Sequence, residues 1–200
     1  MGLHMSGSFP AQVRDLRLVL FRHAKSAWPD VPDHERPLGS RGIQAAPLMG
    51  RWLRDAGLVP DQVLCSTARR ARETWQFAQT GLAAAPPVTF DDRIYEAAAT
   101  DLLDLIHEAP PAAGTLLLVG HNPAIGDLAV LLAAAAFGAA GPRPGGASPT
   151  DLERMRAKFP TAAIAVLGHA GAWPDLAPRR ARLTAFVTPR DLGSESAAGS

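Results

Sequence analysis

The sequence predicts an α/β fold, a three-layer αβα sandwich around a mostly parallel sheet with an antiparallel edge. Through most of its 200 residues, short apolar runs rich in branched side chains alternate with longer segments of helical periodicity. This alternation is typical of a parallel sheet covered by helices on both faces. The last two apolar runs have no helix between them, which indicates an antiparallel pair of strands at one edge.

The first half of the chain is expected to form three strands separated by two helices. The strands are short apolar runs, and the helices carry apolar residues at intervals of three and four. In chain order, these elements are a strand over Leu16–Phe21, a helix over Ser40–Ala56, a strand over Gln62–Ser66, a helix over Arg69–Leu82 and a strand over Val88–Asp91.

The second half is expected to contain two helices and three further strands. Its glycine- and proline-rich stretch predicts a loop, because these residues interrupt regular structure. The expected elements are a helix over Leu102–Glu108, a strand over Thr115–Val119, a helix over Ile125–Phe137, a loop over Gly138–Pro149, and strands over Ala162–Leu167 and Arg182–Val187.

The length of the chain and its 47% hydrophobic content are enough for one domain with a sizeable core. We expect that domain to span residues 16–192. Residues 1–15 are expected to be an N-terminal extension, and the Gly-, Ser- and Ala-rich residues 193–200 a disordered tail.

Charge and cysteine content exclude several classes of protein. The formal net charge is only +1, which disfavours a partner bound by bulk charge such as duplex nucleic acid. The single cysteine, Cys65, excludes an intrachain disulfide, and a buried structural thiol is expected there. No apolar stretch approaches the roughly 20 residues that span a bilayer, and residues 1–10 lack the apolar centre of a signal peptide. We therefore expect a soluble, cytoplasmic protein that does not contact membranes.

Polar residues follow three of the predicted strands at the point where each strand ends. Arg22 and His23 follow the first strand, Arg69–Arg72 follow the second after Ser66, and His121 follows the strand over Thr115–Val119. Because the carboxyl ends of parallel strands meet at one edge of a sheet, we expect two histidines and at least two arginines to converge.

Such a cluster is suited to bind and transfer a phosphoryl group. The guanidinium group presents a planar fork of donors that matches phosphate oxygens. Histidine can act as a nucleophile toward phosphorus, and nearby guanidinium groups favour its neutral, attacking form. The same positive groups stabilise the charge that develops on a transferring phosphoryl group.

Three motifs make the chain resemble the histidine phosphatase superfamily, also called phosphoglycerate-mutase-like. Leu20–Ala24 is similar to its RHG or RHA signature, Ser66–Thr74 to its S-x-x-x-R-A-x-x-T segment, and Val119–Pro123 to its late GH motif. The RHA-K-S opening, the Arg36-Pro37-Leu38 segment and GHNP together most resemble the SixA-type phosphohistidine phosphatases. The resemblance extends over nearly the whole predicted domain.

The resemblance implies a role for each matching residue. His23 would be the nucleophile, Arg22 and Arg70 would clamp the phosphoryl group, and His121 would donate a hydrogen bond to a phosphoryl oxygen. Glu96 stands roughly where many members place the carboxylic acid that protonates the leaving oxygen, so either a catalytic acid or an exposed side chain is expected there. Asn122 would orient its loop without a catalytic role.

Other residues of the same types are expected to be structural or exposed. Among the arginines of the second motif, Arg69 and Arg72 are expected on the helix surface. The histidines in this group are His4, His34, His107 and His169. The basic cluster formed by Arg179, Arg180 and Arg182 is expected in solvent, and the loop containing Trp173 is expected to pack against the domain.

The expected reaction is transfer of a phosphoryl group to His23 followed by hydrolysis, with no metal and no cofactor. The substrate would be a phosphohistidine protein or a small phosphomonoester. A phosphoglycerate-mutase-type transferase is an alternative, disfavoured by the short chain without long insertions. A non-catalytic phospho-ligand binder is another alternative. A metal site at His23 and His121 is disfavoured by the flanking arginines.

Overall fold

The computed structural model describes residues 15–82, 84–133 and 149–194 of the chain. In that part of the chain, six strands form one sheet in the order β3-β2-β4-β1-β5-β6. The strands are β1 (Asp15–Arg22), β2 (Gln62–Ser66), β3 (Val88–Asp91), β4 (Thr115–Gly120), β5 (Ile164–Ala170) and β6 (Arg182–Val187). The pairs β1–β4, β4–β2 and β2–β3 are parallel, whereas β1–β5 and β5–β6 are antiparallel. The mixed sheet with an antiparallel edge is therefore confirmed.

Helices cover both faces of the sheet. They are α1 (Ser40–Asp55), α2 (Arg69–Gln79), α3 (Ala99–His107), α4 (Ala124–Leu132), α5 (Pro149–Ala157) and α6 (Pro189–Ser194). Residues of β1 alternate between the two faces, as the two-residue period of a strand requires. Leu18 and Leu20 join a core with α3, α4 and α5, and Val19 and Phe21 join a core with α1 and α2. This arrangement is the expected three-layer sandwich.

Close packing of α1 against α2 depends on Gly50. A Cβ atom at this position would lie 1.8 Å from the Ala78 carbonyl oxygen, a distance that backbone atoms cannot relieve without moving the helices apart. The contact matters for the site because it fixes α2, and the first turn of α2 carries Arg70.

Several expected boundaries were wrong. Strand β5 begins at Ile164 rather than Ala162, because Ala162 adopts a positive φ of 61° in the turn before it. Helix α4 ends at Leu132, and Ala133 instead forms a β-bridge with Ala181. The rest of the expected helix, and residues 138–148 of the expected loop, lie outside the described residues.

Smaller differences occur at the other elements. Helix α5, which starts at Pro149, was not expected, and α3 begins three residues earlier than expected. Asp15 belongs to β1, and Gly193 and Ser194 belong to α6, although they were assigned to the extension and the tail. Residues 1–14 and 195–200 lie outside the described residues. None of the helices in the described ranges is long and apolar enough to cross a membrane.

Candidate active site

The ends of β1 and β4 bring the two expected histidines together. Arg22 pairs with Gly120 in the parallel ladder, and the backbone N–H of His23 donates to the Gly120 carbonyl at 2.9 Å. His23 and His121 therefore leave neighbouring strands at the same level, and their ring centroids lie 5.0 Å apart. The expected convergence at the carboxyl edge of the sheet is present.

The surroundings of His23 favour a neutral imidazole with its lone pair on Nε2. Nδ1 lies 2.8 Å from the Ala24 carbonyl oxygen, which can only accept, so Nδ1 carries the proton. Burial lowers the pKa of His23 to about 4, and the positive charges of Arg70, Arg22 and Arg36 contribute in the same direction. A neutral ring whose Nε2 is free is the form that can attack phosphorus.

His121 differs from His23 in the ring nitrogen that is hydrogen-bonded within the protein. Its Nε2 lies 2.9 Å from the Ser66 hydroxyl oxygen, which also accepts the Ala68 N–H at 3.3 Å. The Ser66 hydroxyl has no other acceptor among the described residues, so its proton is directed to His121 Nε2 and the ring proton lies on Nδ1. Burial, followed by His23 and Arg70, lowers the pKa of His121 to about 3. Nδ1 is buried and has no partner among the described residues.

Arg22 and Arg70 are each held by part of their guanidinium group and leave another part free. Arg22 Nη1 donates to the Phe159 carbonyl at 2.7 Å. Arg70 donates through Nη1 to the Asp33 carbonyl at 2.7 Å and through Nη2 to Asp33 Oδ2 at 2.9 Å. The Nε atoms of both arginines are buried without a partner in the described part of the chain.

The neighbouring arginines of α2 point elsewhere, as expected from the match of Ser66–Thr74 to the family motif. Arg69 and Arg72 are exposed, whereas Arg70 between them is only 7% exposed. Arg69 Nε donates to Glu73 Oε1 at 2.7 Å, four residues along the helix surface. Arg70 is therefore the arginine of this segment that faces the two histidines.

Asp33 is a residue of the site that sequence reasoning missed. Its carboxylate accepts from Tyr95 OH at 2.7 Å, from Arg36 Nη1 at 2.8 Å and from Arg70 Nη2. The Tyr95 and Arg36 hydrogen bonds, reinforced by Arg70, hold the pKa of Asp33 well below its usual range. The group is therefore an ionised carboxylate that positions Arg70. Its only sequence signal was its place just before the Arg36-Pro37-Leu38 segment.

Tyr95, the residue before Glu96, lies at the site, whereas the side chain of Glu96 does not contact it. The Tyr95 ring lies 5.6 Å from the His121 ring and 4.9 Å from the His34 ring, both in edge-to-face geometry. Glu96 itself is exposed and has no hydrogen bond within the described ranges. Its assignment as the acid stays a prediction.

Asn122 ties the loop after β4 to the chain before β5. Its Nδ2 donates to the Phe159 carbonyl at 3.1 Å, and this carbonyl also accepts from Arg22. Asn122 thus holds the loop next to the arginine, in agreement with the orienting role expected for it.

The remaining residues singled out in the sequence are distributed over the core, the surface and the edge of the site, apart from one outside the described residues. His107 and the buried His169 contact backbone carbonyl oxygens, and Trp173 is buried with its Nε1 donating to the Ala113 carbonyl at 2.9 Å. Cys65 is buried, and burial raises the pKa of its thiol. Arg179, Arg180 and Arg182 are exposed. His34 lies beside Tyr95 at the site, and His4 lies outside the described residues.

The family follows from comparison with known proteins. Residues 18–125, more than half of the chain, match the model of the histidine phosphatase superfamily, branch 1. The chain belongs to the histidine phosphatase superfamily. An uncharacterised protein of Mycobacterium tuberculosis is 44% identical to it over 170 residues, which cover 84% of this chain and 99% of that protein.

Solved structures of histidine phosphatases resemble the fold described above. A proposed phosphohistidine phosphatase SixA from Nakamurella multipartitia is 33% identical, with a TM-score of 0.74, and the match covers 90% of this chain and 99% of that one. A proposed SixA from Agrobacterium tumefaciens is 29% identical, with a TM-score of 0.67, over 87% of this chain and 98% of that one. Within its superfamily, the chain therefore resembles the SixA-type members in sequence and in fold.

Proposed function

We propose that this protein is a metal-independent, cytoplasmic phosphatase that passes the phosphoryl group of its substrate through His23. The observation that carries the proposal is a set of three buried N–H groups beside a neutral His23, with no partner among the described residues: Arg22 Nε, Arg70 Nε and His121 Nδ1. A buried donor without a partner costs free energy. The oxygens of a bound phosphoryl group offer an acceptor to each of the three.

In the first step, His23 Nε2 attacks phosphorus while the bond to the leaving nitrogen or oxygen breaks. The leaving group departs with that electron pair and takes a proton. Arg22, Arg70 and His121 donate to the oxygens of the transferring group, where negative charge is spread in the transition state. The Ala24 carbonyl stabilises the positive charge that the His23 ring acquires, because it holds the Nδ1 proton.

In the second step, water attacks the phosphorus and the bond to His23 Nε2 breaks. The products are inorganic phosphate and a neutral His23, ready for another cycle. Asp33 is ionised and holds Arg70 by accepting two hydrogen bonds from it, one at the carboxylate and one at the main-chain carbonyl. Its role in both steps is to position that arginine.

The proposed substrate is phosphohistidine on a protein, or a small phosphomonoester. The likeness to the two SixA structures supports phosphohistidine. A screen of phosphohistidine peptides, aryl phosphates and alkyl phosphates tests the proposal. Multiple turnovers on at least one class are expected. Binding without turnover on every class would instead indicate a phospho-ligand binder.

Activity is expected to survive prolonged chelation, because guanidinium and imidazole groups supply the positive charge in this site. Vanadate, which adopts the five-coordinate geometry of phosphoryl transfer, is expected to inhibit. Within the described ranges, no group of three or more His, Cys, Asp or Glu side chains could hold a metal ion. The measurement is kcat before and after dialysis against a chelator. Loss of activity that one particular metal restores would contradict the prediction.

The rate is expected to depend strongly on the leaving group. An alkyl phosphate needs its departing alkoxide protonated, whereas a leaving imidazole is stable when neutral. Asp33 is held ionised and Glu96 is exposed, so a poised acid is not evident among the described carboxyl groups. General acid catalysis contributes roughly 10²–10⁴-fold. Phosphohistidine peptides and aryl phosphates should therefore exceed alkyl phosphates by a factor of this order in kcat/KM.

The variant Glu96→Gln decides whether Glu96 supplies the acid. If it does, the variant should slow alkyl phosphates further and leave phosphohistidine nearly unchanged. If Glu96 is only exposed, the variant should match the unmodified enzyme on every substrate. Equal rates on alkyl phosphates and phosphohistidine peptides in the unmodified enzyme would rule out the proposed leaving-group dependence.

A further inference from the structure

A groove of about 690 Å³ runs between α2 and β3, outside the candidate active site. One stripe of α2, with residues at helical intervals of three and four, forms one wall: Arg72, Trp75, Gln76 and Gln79. Val88 and Phe90 of β3 form the other wall, and their side chains are 36% and 48% exposed. The groove thus combines an apolar wall with the polar ends of α2 side chains.

The groove adjoins the site through two of its lining residues, His34 and Thr67. His34 Nε2 lies 3.1 Å from Thr67 Oγ1, and Thr67 directly follows Ser66, whose hydroxyl contacts His121. The His34 ring also packs against Tyr95. A ligand that occupies the groove can therefore continue into the site without leaving the surface of the protein.

Strand β3 lies at the end of the strand order and, in the described part of the chain, pairs only with β2. The Val63 N–H donates to the Pro87 carbonyl, and Val63 and Cys65 lie opposite Val88 and Phe90. In a parallel pair, alternate residues bond to the neighbouring strand. The backbone N–H and C=O groups of Val88 and Phe90 therefore point away from β2, toward the open edge.

This combination fits an extended peptide better than a small molecule. Only a polypeptide supplies N–H and C=O groups at the repeat that the outer edge of β3 requires. An apolar side chain of such a strand would cover Val88 and Phe90. A neighbouring carboxylate or amide would meet Arg72 and the two glutamines. Charged residues and prolines are the usual protection of an edge strand. Pro87 precedes β3 and Asp91 ends it, and the stretch between them, Val88–Phe90, is left for pairing.

We propose that the α2–β3 groove binds an extended segment of a phosphorylated protein substrate, which pairs with the outer edge of β3 while its phosphorylated side chain enters the site at His23. This inference rests on the proposed function and specifies how a protein substrate is held. The added strand would lie four strand spacings from β1, or roughly 19 Å. Extended chain covers that distance in about six residues. The groove would therefore recognise substrate residues that lie about six positions from the phosphorylated residue.

The test uses three phosphohistidine peptides. Two long peptides carry a Leu-Glu pair about six residues from the phosphohistidine, one on its N-terminal side and one on its C-terminal side, and the third is truncated before that pair. One of the two long peptides is expected to exceed the truncated one in kcat/KM. Burial of one apolar side chain corresponds to a gain on the order of 10- to 100-fold. An aryl phosphate serves as the substrate that cannot reach the groove.

Two variants block the groove without touching the site. Val88→Pro removes an N–H that points away from β2, so the existing sheet keeps its hydrogen bonds, and Phe90→Glu places a charge on the apolar wall. Both are expected to bring the long peptide down to the rate of the truncated one while aryl phosphate turnover stays within about twofold. Val59→Glu is the matched control, because Val59 is similarly exposed, at 37%, but does not line the groove.

Calorimetric binding of the unphosphorylated long peptide gives a readout that does not need turnover. Binding that Val88→Pro abolishes supports the groove even if no substrate is hydrolysed, in which case only the proposed function fails. Equal kcat/KM for long and truncated peptides, together with no calorimetric binding, overturns the groove while aryl phosphate hydrolysis upholds the phosphatase. A third outcome is that sedimentation shows a dimer that Val88→Pro dissociates, while peptide length has no effect on kcat/KM. That result would assign the edge of β3 to a second copy of the chain and would also overturn the proposal.

Discussion

His23→Ala is expected to abolish both turnover and the covalent phosphoenzyme. Among the described residues, His23 is the ring that combines a free Nε2 lone pair, a fixed tautomer and a place beside the three donors without a partner, and the variant removes it. Removing the nucleophile of a covalent mechanism typically costs on the order of 10⁵–10⁶-fold in kcat. Rapid quenching of the unmodified enzyme should trap a phosphoenzyme that is labile in acid and stable in alkali, as a phosphoramidate is.

His107→Ala is the matched control for this experiment. His107 contacts the Leu176 carbonyl at the end of α3, away from the carboxyl edge of the sheet. Its loss removes one hydrogen bond and should leave labelling and turnover intact. Circular dichroism of both variants separates a loss of chemistry from a loss of fold. A His23→Ala enzyme that still forms the acid-labile label, or retains its rate, would assign the nucleophile to another residue.

The parts of the site that lie on regular structure could be predicted from the sequence. Strand β1 is a short apolar run, so its end at Arg22 and the following His23 could be placed at the carboxyl edge without coordinates. The same reasoning placed His121 after β4. Arg70 was distinguished from Arg69 and Arg72 by the resemblance of Ser66–Thr74 to the family motif. The helical period agrees with that choice, because successive helical residues face directions about 100° apart.

The parts of the site on irregular backbone could not be predicted in this way. Asp33 lies in the segment between β1 and α1, where neither period applies, and its contacts with Arg70 and Tyr95 join residues 37 and 62 positions away. Ser66 belongs to a recognised motif, but its effect on the tautomer of His121 depends on a distance between two strands. Such long-range contacts have no local signature in the sequence.

The boundary errors have a similar origin. The Ala- and Leu-rich run after Pro123 has high helical propensity, yet α4 ends at Leu132 because Ala133 pairs with Ala181. A tertiary contact thus overrides the propensity of the sequence, which is a weak preference of less than 1 kcal/mol per residue. Helix α5 has only a modest apolar stripe, in which Met155 is buried in the core, so its period gave little signal.

Arg70→Ala is expected to lower kcat/KM by roughly 10³–10⁵-fold, the range for an arginine that stabilises a phosphoryl transition state. The variant removes the buried Nε donor and also leaves the ionised carboxylate of Asp33 beside the phosphoryl group without its Arg70 partner. Repulsion between these two anions should therefore add to the loss of a donor. Arg70→Lys should recover only part of the rate, because an ammonium group keeps the charge but lacks the planar fork.

Arg69→Ala is the matched control for Arg70→Ala, since it deletes the adjacent guanidinium group on the same turn of α2. Arg69 is exposed and pairs with Glu73, and an exposed pair of this kind is worth only about 0.3–0.5 kcal/mol. Its variant should keep kcat/KM within about twofold. If Arg70 acts on the transition state, the inhibition constant of vanadate should rise in the Arg70 variant in parallel with the fall in kcat/KM, and stay unchanged in the Arg69 variant. Equal losses of kcat/KM in the two variants would mean that the register of α2 relative to His23 differs from the one described. A loss of kcat/KM in the Arg70 variant with unchanged vanadate affinity would instead place the role of Arg70 in substrate binding.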